Sequence, residues 1–264
     1  MPMNSHQQRL ITGLVLLPFV ILLLLWGTRT AWALTLAGVS VLGLWEFYSL
    51  FWPGRKSLLK VGALIPAVLI MFSPDALAGP LVVMVAGFWA ANLLLLFRHG
   101  RSLDNRAPDG PVLLAGWLYL PLVLHWVLFL EQIEIVLVFI VTFLSDTGAY
   151  YCGRYLGKRK IWPAISPNKT WAGAFGGLCA AWLFCLALGW FWGRGAWYHW
   201  LWIPVVLNWA AQFGDFFESG LKRQLGVKDS GKLLPGHGGF LDRIDSLLLV
   251  LPVYMAIRSL LPLF

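Results

Sequence analysis

Six of the twelve acidic residues of this 264-residue chain fall between positions 146 and 245: Asp146, Asp215, Glu218, Asp229, Asp242 and Asp245. Around them stand Lys169, Lys222, Arg223, Lys228, Lys232 and Arg243, with six glycines between 218 and 245. Clustered carboxylates suit a hard cation, and Mg²⁺ in particular takes one or two carboxylates together with water and substrate phosphates. Glycine lets backbone N–H groups approach a phosphate closely, and Lys and Arg supply charge and donors for phosphate oxygens. Together these are the parts for phosphoryl or nucleotidyl transfer, in which a substrate phosphate can attack and no protein nucleophile is needed.

A second polar stretch, 153–170, carries Gly153, Arg154, Gly157, Lys158, Arg159 and Lys160, then Ser166-Pro-Asn-Lys169-Thr170-Trp171. The basic half reads as a loop facing anionic lipid. The Ser166–Thr170 half puts hydroxyls and a lysine before a helix N-terminus, a ready anion site. Gly226 to Leu233 comes close to a phosphate-binding P-loop but lacks the Ser/Thr after Lys232 and any preceding strand, so it is set aside.

The elements that must position these residues are apolar helices. The chain is 59% hydrophobic and only 12% charged, about half the charge of a soluble domain, and its mean hydropathy is +0.74. That excludes a soluble enzyme, a disordered chain and a disulfide scaffold. Spans are expected at 10–26, 31–52, 58–72, 77–97, 112–130, 134–152, 171–193, 197–217 and 246–263, each near the ~20 residues that cross a bilayer. Residues 10–26 are expected to be a retained span, since no small-residue cleavage site follows. With the N-terminus cytoplasmic, 17 of the 20 Lys and Arg fall on the cytoplasmic side, as the positive-inside rule requires. The expectation is an all-α polytopic membrane protein with about nine transmembrane helices, N-terminus in and C-terminus out. Spans 1–5 fill residues 1–133. A catalytic region with spans 6–9 fills 134–264, with cytoplasmic loops at 153–170 and 218–245. Topology accounts for most of the net charge of +8, so nucleic acid is not an expected partner. Cys152, Cys179 and Cys185 read as packing residues.

At its polar residues the sequence resembles the phosphatidate cytidylyltransferase (CDP-diacylglycerol synthase) family. The resemblance is carried by Ser219, Lys222, Arg223, Lys228, Asp229, then Pro235-Gly-His237-Gly238-Gly239, and Asp242-Arg243-x-Asp245. Ser145-Asp146-Thr147-Gly148-Ala149-Tyr150, Ser166 to Trp171 and Gly214 to Ser219 look like the family as well. One position departs: Ala172 stands where the family pattern has Glu or Gln.

The resemblance implies transfer of a cytidylyl group from CTP to phosphatidate or a related lipid phosphate, with Mg²⁺ and room for a second cation, at the cytoplasmic face of the cell inner membrane. It implies metal at Asp215 and Asp242. Catalytic roles fall to Asp215, Asp242, Asp245, Lys222 and His237. Substrate contacts fall to Asp146, Ser166, Lys169, Thr170, Ser219, Arg223, Lys228, Asp229, Gly238, Gly239 and Arg243.

The rival from another class is a membrane transporter. Against it, the polar residues sit at one side and no inverted repeat is evident. A CDP-alcohol phosphotransferase lacks its Asp-Gly-x-x-Ala-Arg pattern here, and a CTP-using lipid kinase would release CDP instead of pyrophosphate. Gly173 and Gly177 form GxxxG, read as close helix packing with a homodimer seam as the second reading. Glu46, His125, Asn92 and Asn208 read as polar residues within spans, each satisfied by a neighbouring helix.

Overall fold

The computed structural model describes residues 18–54, 57–99, 109–231, 233 and 238–264. The described chain is almost entirely helical. A helix at 18–26 (α1) is followed by α2 (Arg29–Phe51), α3 (Ser57–Met71), α4 (Ala78–His99) and α5 (Asp109–Trp117). A π turn (Leu118–Leu122) holding Pro121, a short α6 (Val123–His125) and a 3-10 turn (Trp126–Phe129) continue α5. Then come α7 (Gln132–Leu156), α8 (Trp171–Trp192), α9 (His199–Gln224) and, after a 3-10 turn at Leu241–Arg243, α10 (Asp245–Leu260). No strand longer than an isolated bridge occurs among the described residues, and one such bridge pairs Lys160 with Thr170.

Among the described residues, four helical stretches are long and apolar enough to cross a membrane: Arg29–Phe51, Gly110–Phe129, Gln132–Leu156 and Trp171–Trp192. The first expected span, 10–26, lies within the described residues only from 18 onward. Many large apolar side chains face outward, including Trp190, Phe191, Leu183 and Leu260, a surface suited to lipid rather than water.

The chain divides into two compact units, Met1–Phe129 with Ser230–Leu241, and Leu130–Asp229 with Asp242–Phe264. In the first, α2 and α4 pack on α3, and α5 lies against α2 and α4. Tyr48 Oη donates to the Leu113 carbonyl (3.0 Å), and the Trp117 indole donates to the Ala63 carbonyl (2.8 Å). An apolar cavity of about 540 Å³ lies among α3, α4 and α5, walled by Leu58, Ile65, Pro66, Val82, Ala86 and Trp117.

In the second unit α7 and α8 make the most extensive contact. Glycine permits it: a Cβ on Gly177 would lie 2.5 Å from the Ser145 carbonyl oxygen, and one on Gly148 would lie 2.7 Å from that of Gly176. The GxxxG of Gly173 and Gly177 is therefore filled by α7 of the same chain. Buried Glu134 at the start of α7 accepts from Tyr254 Oη (2.9 Å) and Arg258 Nε (2.7 Å), which ties down the end of α10.

Two helix ends depart from the expected spans. α7 runs on to Leu156, so Gly153 and Arg154 are helical. α9 runs on to Gln224, so Glu218, Ser219, Lys222 and Arg223 are helical as well. An i,i+4 Glu218–Lys222 pair supports the added turns of α9, and cations in the last turn suit the helix C-terminus. Gly226, at φ +72°, then turns the chain away. Membrane-span reasoning misses both extensions because it looks only for hydrocarbon.

Candidate active site

The second unit holds a charged cavity of about 650 Å³. α7 contributes Asp146, Tyr150 and Arg154. The 157–170 loop contributes Lys160, Ser166, Asn168, Lys169 and Thr170. α9 contributes Gln212 and Asp215, and the approach to α10 contributes Asp242, Arg243 and Asp245. Thr170 caps α8, its hydroxyl accepting from the Gly173 amide at 3.1 Å. The lysine before the cap is thereby fixed at the cavity wall.

Lys169 is held by an ion pair, a hydrogen bond and a ring. Its Nζ lies 2.8 Å from Asp215 Oδ2, 3.3 Å from Gln212 Oε1 and 4.6 Å from the centre of the Phe216 ring. Gln212 Nε2 donates to Ser145 Oγ (3.1 Å), and Ser145 Oγ donates to Asn208 Oδ1 (2.8 Å). A buried polar chain across α7 and α9 thus ends on the lysine. Asp215 is held from its other side, Oδ1 accepting from Ser219 Oγ at 3.0 Å.

Lys222 sits between two carboxyls, 2.5 Å from Asp242 Oδ1 and 3.0 Å from Glu218 Oε2. Burial alone would push its ammonium pKa down; hydrogen bonds and charge from Asp242 and Glu218 more than offset this and raise it. Asp245 stands beside this group, so one cation faces three carboxyls. Glu218 is fully buried while Asp242 reaches solvent, which makes Glu218 the carboxyl that keeps a proton. Burial first, then the Asp245 charge, pushes its pKa up to about 9. On the far side, Ser246 Oγ donates to Asp146 Oδ1 at 3.4 Å, joining α10 to α7.

Of the residues singled out from the sequence, Asp146, Ser166, Lys169, Thr170, Asp215, Asp242, Arg243 and Asp245 line this cavity. Lys222 and Ser219 stand behind it, bonded to Asp242 and Asp215. Arg223 turns to the Val227 carbonyl (3.2 Å), and Lys228 and Asp229 are exposed away from the lining. Gly238 (φ +84°) and Gly239 belong to the first unit. His237 lies outside the described residues. Sequence reasoning passed over Arg154, Lys160 and Gln212 as site residues. The first two lie in a run that reads as a generic basic loop, and Gln212 is the single polar residue of an apolar stretch, Trp209–Phe213.

The fold and the cavity together describe a membrane protein, helical over the described residues, whose charged side chains are gathered at helix ends. The chain belongs to the cytidylyltransferase family, whose pattern matches residues 7–261. It is similar to a phosphatidate cytidylyltransferase of Staphylococcus epidermidis, 50% identical over 121 residues, which are 45% of this chain and 46% of that protein. A Staphylococcus aureus protein of the same name is 46% identical over 132 residues, 49% of this chain and 47% of that one. One from Staphylococcus saprophyticus is 48% identical over 132 residues, with the same shares covered. The matched stretch spans about half the length of these relatives.

Proposed function

We propose that the chain is a membrane nucleotidyltransferase that converts CTP and phosphatidate into CDP-diacylglycerol and pyrophosphate. The observation that carries this reading is the charged cavity, in which Asp215 and Asp242 are each held by a lysine beside three further cations, Arg154, Lys160 and Arg243. A lipid phosphate oxygen attacks the α-phosphorus of CTP. The new P–O bond forms as the bond to the β-phosphate oxygen breaks, and the electron pair leaves on pyrophosphate. Two anions must meet, so neutralising and orienting them governs the rate. Lys169 and Arg243 are assigned to the CTP phosphates, with Lys222 holding Asp242 from behind the cavity, and Arg154 and Lys160 are assigned to the lipid phosphate. Arg154 Nη1 already donates to Tyr150 Oη at 2.9 Å.

The donor set suits Mg²⁺. The carboxylates lining the cavity are hard oxygen donors, and among the described residues no three acidic, His or Cys groups converge to enclose an ion. An open site of one or two carboxylates completed by water and phosphate is the usual Mg²⁺ arrangement. Asp215 and Asp242 would hold the ion, with Asp146 and Asp245 assisting, and a bound Mg²⁺ would neutralise charge on the phosphates.

The proposal includes nine membrane spans, N-terminus cytoplasmic and C-terminus outside, in the cell inner membrane with the site facing the cytoplasm. The 17 of 20 basic residues that fall on one side support it.

The test is to incubate purified protein with CTP, Mg²⁺ and a panel of lipid phosphates and to identify the lipid product by mass spectrometry. The expected result is CDP-diacylglycerol with one pyrophosphate released per lipid. Release of CDP with a newly phosphorylated lipid would make the protein a kinase. Counterflow of a labelled solute in proteoliposomes, without any new lipid, would make it a transporter.

A further inference from the structure

Three polar side chains are buried where α7 meets α9: Ser145 and Asn208 at 0% exposure and Gln212 at 1%. All three, with Lys169, belong to the second unit. Gln212 Oε1 accepts from Lys169 Nζ (3.3 Å), Gln212 Nε2 donates to Ser145 Oγ (3.1 Å), and Ser145 Oγ donates to Asn208 Oδ1 (2.8 Å). Asn208 Nδ2 in turn donates to the Ala174 carbonyl of α8 (3.5 Å). Each polar atom of the three side chains thus has a partner. Gly177 leaves room for the chain, since a Cβ there would lie 3.1 Å from Asn208 Oδ1.

The two ends fix the direction in which these bonds run. An ammonium can only donate, and a backbone carbonyl can only accept. The Gln212 amide must then turn its oxygen to Lys169 and its nitrogen to Ser145, and Ser145 must point its hydroxyl hydrogen at Asn208. A carboxamide has nearly the same shape turned end for end, so Gln212 alone does not specify which atom meets the cation. Reversed, its NH₂ would face the ammonium, donor against donor. Apolar side chains would fill the same space without the cost of burying three polar groups. Polar residues within apolar helices default to a functional role, and this chain ends on a cavity cation.

We infer that Ser145 and Asn208 are positioning residues: they lock the Gln212 carboxamide with its oxygen toward Lys169 and so hold the Lys169 ammonium at the cavity wall. The kinetic consequence rests on the reading of the chain as a CTP-dependent transferase.

The experiment compares Asn208→Leu and Ser145→Ala, each alone and combined with Lys169→Met, in the full-length protein in detergent. It measures kcat/KM for CTP. It also measures, without substrate, the rates at which an amine-acetylating reagent modifies Lys169 and Lys160, read by mass spectrometry. Asn208→Leu should lower kcat/KM about threefold, the scale of one hydrogen bond between membrane helices, and Ser145→Ala, which loses two, about tenfold. Neither should lower it further in the Lys169→Met background. Acetylation of Lys169 should speed up about threefold in both single variants, while that of Lys160 keeps its wild-type rate. Ser145→Ala carries the test if Asn208→Leu does not fold.

A loss that persists undiminished in the Lys169→Met background overturns the inference, as does a wild-type acetylation rate at Lys169 in both variants. Equal acceleration at Lys160 and Lys169 also overturns it, because general loosening would then explain the effect. A wild-type protein inert toward CTP fails the transferase reading instead, and the ratio of the two acetylation rates still decides whether Ser145 and Asn208 hold Lys169.

Discussion

The two units contain cavities of similar size and opposite chemistry. That of the first, about 540 Å³, is walled by Leu, Ile, Val, Pro and Ala with Trp117. That of the second, about 650 Å³, is walled by Asp146, Asp215, Asp242 and Asp245 with Lys and Arg. Both are spaces between packed helices, so packing alone does not set their character. The apolar cavity is bounded by helix interiors, where backbone groups are already paired and a charge would be unmet. The charged one is bounded by helix ends, where Thr170 caps α8 and Asp245 opens α10. Such ends offer free backbone donors and access to water. In a chain with so little charge, helix ends are where chemistry can be placed at the least cost.

The sharpest way to break this comparison is at Asp242. Asp242→Asn leaves Lys222 with the protonated Glu218 and Asp245 and removes a proposed cation ligand. We expect CTP-dependent turnover to fall at least about 10²–10³-fold, the scale of a lost transition-state electrostatic contact, while the detergent-solubilised protein still unfolds cooperatively. Full turnover in that variant would remove Asp242 from the site. Lys169→Met should follow at about 10²-fold in kcat/KM, and Gln212→Leu at about tenfold, because Gln212 holds the lysine rather than the substrate. The double variant should be no worse than Lys169→Met alone, since both act through one group. Strict additivity would show that Gln212 works by another route.

The sequence reveals some of these relationships and hides others for a physical reason. Helix positions were legible because hydrocarbon runs have a fixed length requirement. The motif residues Asp146, Lys169, Asp215 and Asp242 stand out because charge is scarce. The pairing of Lys169 with Asp215 and that of Lys222 with Asp242 were not legible, since helix packing, not spacing, creates them. Glu46 reads as one polar residue in a span, and its donors lie far along the chain at Ser230 and Leu241. Asn208 meets its expectation, bonded to Ser145 of α7.

A smaller effect separates charge from burial within the site. Glu218 binds its proton more tightly folded than unfolded, its pKa rising from the ordinary 4.5 to about 9. Between those values the unfolded chain holds fewer protons, so stability falls as pH rises across that window and levels off above it. Glu218→Gln fixes the neutral form. Its melting temperature should decline less with pH over the same window than that of the wild type. Parallel slopes would mean that Glu218 is ionised throughout.

The smallest effect on chemistry belongs to the apolar cavity, and it is the fairest test of the contrast. Trp117 donates its indole N–H to the Ala63 carbonyl on α3, close to Pro66, which cannot donate a helical hydrogen bond of its own. Trp117→Phe keeps an aromatic wall and deletes this one bond. The expected cost is about 1 kcal/mol of stability, a fall of roughly 2–4 °C in Tm for a chain of this size. With the helix ends of the second unit untouched, kcat and both KM values should stay within about twofold of wild type. If Trp117→Phe instead lowered turnover as far as Lys169→Met does, the hydrocarbon cavity would be part of the chemistry, and the division between charged helix ends and inert helix interiors would fail.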